Sequence, residues 1–486
     1  MRFFSVSRRA PVIGLLVLLL GVAGNEALHH ILALEAGRTL GDLPRYLDSA
    51  DEATAARAAL AIGRTKAPAG AQALEGHVSD ARASVRAFAV YGLGLIGRGD
   101  DATTLARLAT DDASGAVRIA ALDALGRYET AAAVEGMAEA GSERAVASAL
   151  AHDADPIVRG RAAITLYTFA GTQAQTPAVA ALLHALTLEK NRYVRERVMW
   201  SVFRAYAKDV PRTVLQRGLH DPDEVVRIES VRAYGKLKDA AAASELVPLL
   251  SDPSWRVQEQ TMESIKVLRG GKLTEHLTSI APSVHLPPIA ADPFANLPAL
   301  PRPHVAPGAP KAAIAALGPL LVPRTAEDMT SPAHGPHPRL RFVTTKGNLY
   351  VVLYPEWAPL TVENFLNLTA RGFFDNNRWF RIVPDFVVQT GEKDDKNAPG
   401  PGYTIDAEEN PLEQTSDIIS MGLDYDGPKA KRDSAGSEYY ITLSPQFHLG
   451  QSFTVFGAVT SGADVLAHLV ESDRVVRIER LSDQNL

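Results

Sequence analysis

Residues 378–391 read RWFRIVPDFVVQTG, which places Arg381 among aromatic and β-branched residues, with a glutamine eight positions after it. The apolar residues on both sides of the arginine alternate as they do in strands, and the Pro-Asp pair at 384–385 is typical of a turn. A hairpin of this kind would bring Arg381, Phe386 and Gln389 together. The stretch therefore predicts an apolar pocket with one fixed cation, which we take as the chemical centre of the chain.

Further motifs surround this stretch in a definite order. They read GNLYVVLYP at 347–355, APLTVENF at 358–365, GPGY at 400–403, ISM at 419–421, SAGSEYYIT at 434–442, HL at 448–449 and VFG at 455–457. Together with residues 380–391, they resemble the signature of the cyclophilin-type peptidyl-prolyl isomerases. The resemblance runs from Leu340 to Asp483, and several ordered motifs are far more specific than any one of them.

The resemblance implies a fold and an activity for residues 339–486. The implied fold is a closed antiparallel β-barrel with capping helices, and the implied activity is cis–trans isomerisation of Xaa-Pro bonds, which needs no cofactor and no metal. Arg381 would be the catalytic residue. The positions that the resemblance assigns to substrate binding are Phe386, Val387, Gln389, Glu438, Tyr440, Leu449 and Phe453.

An arginine suits the chemistry that this activity requires. The reaction twists an amide against a barrier of about 18–20 kcal/mol, and no bond is made or cut. A protein can therefore supply a pocket for the proline ring and a hydrogen-bond donor whose contact strengthens as the prolyl nitrogen becomes pyramidal. The planar fork of Arg381 stays charged and can bind the substrate carbonyl while it points toward that nitrogen.

The local sequence pattern of residues 339–486 agrees with a strand-rich domain. Residues 340–345 and 349–354 predict a hairpin around a glycine-containing turn. Thr361 is the predicted N-cap of a helix whose buried face carries Phe365. Later runs of aromatic and β-branched residues return to strand character and fit a barrel closed by helices.

Three positions depart from the family pattern: Glu438 stands where a glutamine is usual, Phe453 where a histidine is common, and Leu423 where an asparagine that binds the peptide backbone is common. His448 stands where a tryptophan or histidine occurs, so it is unremarkable. A carboxylate beside Arg381 would either hold the guanidinium in place or neutralise the field that it offers the substrate. Loss of the asparagine predicts a peptide affinity weaker by about 1 kcal/mol. The insertion at 424–432 predicts a longer loop beside the site.

The composition points to more than one globular domain. The chain has 486 residues, of which 46% are hydrophobic and 22% charged, so it can bury several cores. Its formal net charge of -6 gives no overall basic field, so we do not expect binding to nucleic acid. The absence of cysteine excludes disulfides, thiolate metal sites and cysteine nucleophiles.

Residues 1–27 have the order of a secretory signal peptide. Arg2, Arg8 and Arg9 precede an apolar run at 12–23, and small and polar residues follow it. The run has about a dozen residues, fewer than the roughly 20 that a spanning helix needs. We therefore expect a cleaved signal, with a retained N-terminal membrane anchor as the alternative. Either predicts export to the periplasm or another extracytoplasmic location.

Residues 40–278 repeat a short motif, Asp-x4-Val-Arg, about every 30 to 40 residues. The clearest copies end at Arg86, Arg118, Arg159 and Arg227, and weaker copies end at Arg57, Arg195 and Gln258. This spacing is typical of two-helix solenoid units, and the units resemble HEAT-like repeats. Each aspartate is predicted to cap the helix that follows it, and each arginine to reach an aspartate of a neighbouring unit.

The repeat array also predicts an interaction surface, because each solenoid unit contacts mainly its neighbours and leaves an elongated face open. A protein partner could bind this face, and the alternative is that the array is a passive spacer. Residues 279–338 are rich in proline, which breaks helices and strands and stiffens the chain, so they predict a linker. A short apolar segment at 312–321 within it would either dock on the array or stay a loose turn.

Two hypotheses follow for the whole chain. In the first, an exported or membrane-tethered isomerase acts on Xaa-Pro bonds of protein clients and assists their folding, and the array recruits a client or partner. In the second, the domain is a catalytically weak proline-peptide binding module on a HEAT-like scaffold, because Glu438 and Leu423 have reduced turnover. Activity on a proline tetrapeptide separates the two.

Overall fold

The computed structural model describes the greater part of the chain. The described residues are 26–127, 136, 141–270, 286, 288–305, 307–308, 310, 337–392, 400–427 and 429–482. Residues 1–25 of the predicted signal segment at 1–27, the apolar segment at 312–321 and most of the predicted linker lie outside them. None of the helices within the described residues is long and apolar enough to cross a membrane.

The N-terminal part consists of helices that stack in successive pairs. The helices are α1 (26–36), α2 (Glu52–Thr65), α3 (Gly70–Glu75), α4 (Ala83–Ile96), α5 (Ala102–Asp111), α6 (Gly115–Leu125), α7 (Ser142–His152), α8 (Pro156–Thr165), α9 (Gln175–Leu188), α10 (Arg192–Ser201), α11 (Arg212–Gly218), α12 (Glu224–Lys236), α13 (Ala243–Leu246) and α14 (Trp255–Leu268). The even-numbered helices from α2 to α14 pack side by side in chain order and form one face of the array.

The repeated arginines form the predicted ladder. Each guanidinium makes a two-pronged contact with a carboxylate of the next repeat, as between Arg86 and Asp112, where both N–O distances are 3.0 Å. The same contact joins Arg118 to Asp153, Arg159 to Glu189, Arg195 to Asp221 and Arg227 to Asp252. Glu189 thus takes the place of the aspartate that the repeat ending at Arg195 lacks.

The predicted capping role of the repeat aspartates is wrong for most copies. The N-caps of α4, α6, α8 and α12 are Arg82, Ser114, Asp155 and Asp223, two residues after the repeat aspartate. The aspartate instead accepts the N–H of the N-cap residue, at 2.8 Å from Ser114 to Asp112. The carboxylate therefore holds the turn before the helix, where the arginine of the preceding repeat can also reach it. Asp51 does cap its helix α2, at 2.9 Å from the N–H of Thr54.

The C-terminal domain is built on one antiparallel sheet. Its elements are β1 (Arg339–Thr344), β2 (Gly347–Leu353), α15 (Pro359–Ala370), β3 (Asn377–Arg378), β4 (Arg381–Val383), β5 (Val387–Thr390), β6 (Ile418–Met421), β7 (Tyr425–Asp426), β8 (Lys429–Ala430), β9 (Tyr439–Thr442), β10 (Val455–Ser461), α16 (Ala463–Ala467) and β11 (Arg474–Leu481). Nine strands lie in the order β3-β11-β1-β2-β10-β6-β9-β5-β4, and β7 and β8 form a separate hairpin.

The sheet is a curled half-barrel, so the predicted closed barrel is wrong. Its edge strands β3 and β4 have two and three residues, and only Trp379 and Phe380 separate them in the chain. Within the described residues, no ladder pairs these two strands. A side chain bridges the gap instead, because Oγ1 of Thr390 donates to the carbonyl of Arg378 at 2.8 Å. The side chain of Trp379 is fully buried.

Helix α15 is capped by a distant residue, so the predicted N-cap at Thr361 is wrong. The helix begins two residues earlier, at Pro359, and Ala358 is its N-cap. The carboxylate of Glu408 accepts the N–H groups of Leu360 at 3.1 Å and of Thr361 at 2.8 Å. A buried carboxylate at a helix N-terminus satisfies N–H groups that have no partner within the helix.

The described part of the predicted linker packs on the C-terminal domain. The N–H of Leu300 donates to the carbonyl of Arg480 in strand β11 at 2.8 Å. Arg302 makes two contacts of 2.7 Å with the carboxylate of Asp375, and the ring of Phe294 lies 5.1 Å from that of Tyr350. This part of the chain is therefore bound to the domain rather than spaced away from it.

The array and the C-terminal domain share one apolar core. Buried residues of the even-numbered helices form a continuous cluster with Tyr354, Trp357, Leu412 and Val455 of the C-terminal domain. Phe88 of α4 lies against Trp357, with 5.8 Å between the ring centroids. The face of the array that the even-numbered helices form is thus covered by the domain that follows it in the same chain.

Buried arginines of the array add directional contacts to this interface. They donate to backbone carbonyls and carboxylates of the C-terminal domain: Arg64 to the carbonyls of Trp357 at 2.7 Å and Glu409 at 2.8 Å, Arg127 to the carbonyl of Gly450 at 3.1 Å, and Arg161 and Arg197 to the carboxylate of Glu413 at 2.9 and 2.5 Å. Arg57 is part of this interface and not of the arginine ladder, because it binds Glu35 at 2.7 Å and the carbonyl of Glu356 at 3.1 Å.

Candidate functional site

The predicted hairpin around the central arginine is present. Strands β4 and β5 pair antiparallel, and Arg381 lies directly opposite Gln389. The turn between them is closed by the N–H of Phe386, which donates to the carbonyl of Val383 at 3.0 Å. Asp385 in this turn has a φ of 52°, in the left-handed region that few residues other than glycine adopt. The hairpin thus places Arg381, Phe386 and Gln389 at one end of the sheet.

Arg381 is exposed and is held from one side. Its Nη1 donates to Oε1 of Gln389 at 3.0 Å, and its guanidinium carbon lies 5.4 Å from the ring centroid of Phe386. The amide nitrogen of Gln389 donates in turn to Oε1 of Glu438. Gln389 therefore links the arginine to the carboxylate, and its amide is engaged on both sides.

Glu438 sits in an environment that disfavours its charge. Burial, the largest cause, raises the pKa of Glu438 to about 7, and the nearby charge of Asp424 acts in the same direction. The hydrogen bond from Gln389 and the charge of Arg381 lower the pKa by less. The carboxyl therefore changes its charge near neutral pH, one amide away from the candidate catalytic cation.

An apolar pocket lies beside the arginine. Val387, Tyr440 and Leu449 form a small buried cluster, and Phe386 and Phe453 pack against it. The rings of Tyr440 and Phe453 meet edge to face, with 5.7 Å between centroids. Its aromatic and aliphatic walls suit a proline ring, and the fixed cation stands at its edge.

The pocket opens into a cleft of about 530 Å³ to which both parts of the chain contribute. The cleft is lined by Lys66, Arg381, Phe386, Glu409, Leu423, Tyr425, Lys429, Ala430, Arg432, His448, Leu449, Ser452 and Phe453. Lys66 is the C-cap residue that follows helix α2 of the array, and its ammonium lies 3.5 Å from Glu409. The insertion at 424–432 forms the β7–β8 hairpin and supplies one wall.

In the structure the eight predicted site residues lie close together and fall into three groups. Those that line the cleft are Arg381, Phe386, Leu449 and Phe453. Val387 and Tyr440 are buried beneath them, and Gln389 and Glu438 reach Arg381 through hydrogen bonds. Their roles in catalysis and substrate binding stay predictions. Within the described residues, no group of three or more histidine, aspartate or glutamate side chains could hold a metal ion.

Sequence reasoning missed the contribution of the array to the cleft. Lys66 lies more than 300 positions before Arg381, and no local pattern relates the two. No role in the site was predicted for His448, yet its ring lies parallel to that of Phe386, with 6.3 Å between centroids. A sequence signal did exist for the hairpin wall, because the insertion stands between two motifs of the site.

Known proteins share the C-terminal domain and part of the array. A family model described as cyclophilin type peptidyl-prolyl cis-trans isomerase matches residues 339–482, and one described as HEAT repeats matches residues 42–126. Peptidyl-prolyl cis-trans isomerase B of Bacillus subtilis is 38% identical over 143 residues, which cover 28% of this chain and 96% of that protein. This chain belongs to the cyclophilin-type isomerase family.

Two further relatives of the cyclophilin domain cover much the same residues. Peptidyl-prolyl cis-trans isomerase-like 1 of Aspergillus niger is 38% identical over 133 residues, 26% of this chain and 78% of that protein. Peptidyl-prolyl cis-trans isomerase CYP18-2 of Arabidopsis thaliana is 34% identical over 156 residues, 31% of this chain and 92% of that protein. The C-terminal domain of this chain is accordingly a peptidyl-prolyl cis-trans isomerase domain preceded by HEAT repeats.

Proposed function

We propose that this chain isomerises Xaa-Pro bonds of protein clients, with Arg381 as the catalytic residue, and so assists their folding. One observation carries the proposal: an exposed guanidinium stands at the edge of an apolar pocket and is fixed from one side by Gln389. The enzyme needs a site for the proline ring and a donor for the prolyl nitrogen, and this arrangement offers both.

In this proposal each group has its own part in the reaction. A proline ring in the cleft would contact Phe386, Leu449 and Phe453, which would hold the ring while the acyl part of the substrate rotates. Nη1 of Arg381 donates to Gln389, so other N–H groups of the guanidinium can donate to the substrate. Their contact with the prolyl nitrogen becomes stronger in the twisted state, where amide resonance is broken, and this difference lowers the barrier.

Substitution of the arginine tests the proposed activity. We expect Arg381→Ala to lower the catalysed rate of cis-to-trans conversion of an Ala-Ala-Pro-Phe peptide by about 100-fold, as loss of a transition-state donor does elsewhere. Arg371→Ala, which removes an exposed arginine of the same domain outside the cleft, serves as the control and should leave the rate unchanged. Equal rates for wild type and Arg381→Ala would remove the catalytic role of the arginine.

The second hypothesis, a weak catalyst that mainly binds proline segments, is favoured by one observation. The amide of Gln389 is engaged by both Arg381 and Glu438, so it is less available to a peptide backbone. Under this hypothesis Glu438→Gln raises turnover sharply from near background, whereas peptide affinity changes little. A wild-type rate well above background decides for the enzyme.

Assistance to folding and export are further parts of the proposal. For the first, the full chain should accelerate the slow, proline-limited phase of refolding of an unfolded client protein, and Arg381→Ala should not. For the second, residues 1–27 should carry a reporter enzyme across the cytoplasmic membrane, either with cleavage or as a retained tether. A reporter that stays in the cytoplasm contradicts the export prediction.

Recruitment of a partner by the array also stays a proposal. The face of the even-numbered helices is covered by the isomerase domain, so a partner would bind the outer face that the odd-numbered helices form. We expect the array to raise efficiency on unfolded protein clients above that on tetrapeptides. Equal efficiencies for the two substrates would argue against recruitment.

A further inference from the structure

The wall behind the proline pocket continues into the repeat array. The ring of His448 lies parallel to Phe386, with 6.3 Å between centroids and 12° between planes. On the array side, Trp200 of α10 stacks with the same histidine at 6.2 Å and 25°. Three rings thus connect a helix of the array to a residue that lines the cleft.

Trp200 is itself firmly held by its neighbours. It is fully buried, and the rings of Tyr167 and Phe447 each contact it edge to face at 5.2 Å. His448, between Trp200 and the pocket, stays uncharged: burial first, and then the array cations, lower its pKa to about 3. These cations are Arg204, Arg232 and Lys236. The stack therefore keeps the same charge across the working range of pH.

A second contact joins the array to the turn of the catalytic hairpin. The carboxylate of Asp385 lies 2.5 Å from Nη2 of Arg232 on α12, and the same nitrogen donates to the carbonyl of Asp385. The hydroxyl of Ser444 donates to that carbonyl as well, at 2.5 Å. Nη1 of Arg232 contacts Glu229 at 3.0 Å, so the guanidinium is fixed within the array.

This contact explains the unusual backbone of the turn. Asp385 is buried and its φ is 52°, a conformation that an aspartate adopts at a cost and that its surroundings must support. The arginine supplies that support. The turn in question joins the strand of Arg381 to the strand of Gln389.

We propose that Trp200 and Arg232 of the repeat array are positioning residues of the isomerase site, which makes the array a working part of the catalytic unit. Trp200 acts through His448 on Phe386, and Arg232 acts through Asp385 on the hairpin that carries Arg381. The inference rests on the proposed function of Arg381. The Bacillus subtilis relative aligns over 96% of its length with the C-terminal domain alone, so this support belongs to the architecture of the present chain.

The two contacts predict different kinetic effects on a proline tetrapeptide. Trp200→Ala should raise KM about threefold or more with little change in kcat, because a loosened Phe386 weakens contact with the proline ring in ground and twisted states alike. Trp200→Phe, which keeps a ring, should restore KM. Arg232→Met should lower kcat about tenfold, because the guanidinium of Arg381 loses its alignment with the twisted amide. Arg232→Lys should fall between.

Arg57→Met is the matched control for these variants. Arg57 is also a fully buried arginine of the interface, but it contacts Glu35 and the carbonyl of Glu356, neither of which lines the cleft. All variants are assayed as the full chain below their unfolding temperatures, and rates are expressed per folded protein. We expect Arg57→Met to lose stability and to keep kcat and KM.

The outcomes separate this inference from the proposed function. If Trp200→Ala and Arg232→Met match Arg57→Met in both kcat and KM, the positioning role is wrong. If Arg232→Met does not fold, the comparison of Trp200→Ala with Trp200→Phe decides alone. A wild-type rate at background would remove the proposed function; the affinity for Ala-Ala-Pro-Phe in an NMR titration then tests the inference, and Trp200→Ala must weaken it.

Discussion

Glu438 shows how a single carboxyl can set the chemistry of this site. The sequence left two effects open for a carboxylate near Arg381, either to hold the guanidinium or to neutralise its field. In the structure the carboxyl bonds to Gln389 and not to the arginine, so it orients Arg381 through the amide. Its charge is the remaining variable, because burial raises its pKa to about 7.

We predict that activity falls as pH rises through about 7. The carboxylate that forms above this pH partly cancels the positive potential of Arg381. The interaction of the guanidinium with the prolyl nitrogen is then weaker. The expected fall in kcat/KM between pH 6 and pH 8 is roughly threefold to tenfold, since tenfold corresponds to about 1.4 kcal/mol. Glu438→Gln should remove this step and keep the high value at pH 8. Rates on a proline tetrapeptide measured across this range test the prediction.

Stability should follow the same titration with a defined sign. The folded pKa of Glu438 is raised above its unfolded value, so the folded state binds more protons between pH 4.5 and about 7. The associated stability is present below pH 4.5 and is lost as pH rises through about 7. Glu438→Gln should therefore unfold at higher denaturant than wild type at pH 8. Glu471→Gln, at an exposed position, should change neither stability nor the pH profile.

At the scale of the elements, the repeat array depends on very close contact between neighbouring helices. A Cβ added at Gly63 of α2 would lie 2.4 Å from the Cα of Gly92 in α4, and one added at Gly94 would lie 2.6 Å from Ala124 in α6. These glycines and alanines let the backbones of neighbouring helices approach closely. The arginine ladder then fixes the order of the repeats along the array.

We predict that Gly63→Ala destabilises the fold by about 1–3 kcal/mol. The new methyl group meets backbone atoms that cannot turn aside, and overpacking of this kind outweighs the gain in helix propensity. Gly76→Ala is the control, because its φ is -61° and the nearest atom to the added Cβ is 3.4 Å away. Denaturant unfolding of both variants checks the prediction. Equal midpoints would show that α2 and α4 can move apart at little cost.

At the scale of the whole molecule, the array and the isomerase domain behave as one body because they share a core. Trp357 and Tyr354 of the domain are buried in the same cluster as the even-numbered helices. Arg64 is fully buried, where it pairs with Glu35 at 2.5 Å and donates to three backbone carbonyls of the domain. Such contacts need both parts of the chain in place.

We predict that the two parts stay together after the chain between them is cut. A protease site placed between residues 311 and 336 should give two fragments that elute as one species and unfold in one transition. Arg64→Met should weaken this association, because a buried ion pair that loses one partner costs about 3–5 kcal/mol. Size-exclusion chromatography after cleavage, at falling protein concentration, measures the effect.

An exposed arginine provides the control for this experiment. Arg98 pairs with Asp100 on the surface of the array, so Arg98→Met should leave the cut fragments associated. Separation of the wild-type fragments would contradict the view that the shared core holds the molecule together. Equal behaviour of Arg64→Met and Arg98→Met would contradict the role assigned to the buried arginine.

The sequence by itself determined those features that depend on neighbours along the chain. The β4–β5 hairpin with Arg381 opposite Gln389 was predictable, because strand patterning and turn chemistry act over a few residues. The arginine ladder was predictable too, because a repeat places the same side chains at the same step in every unit. Ordered motifs also carried the family, to which the Bacillus subtilis relative assigns the chain.

Only the tertiary structure decided how these parts meet. It placed Lys66 in the cleft, Trp200 behind His448, and Glu408 at the start of α15, and it left the sheet open between β3 and β4. Each of these joins groups that are distant in sequence or depends on how strands curl in space. Such contacts form because buried charges and rings need partners, and the partner is chosen by the packing of the whole chain rather than by any local pattern.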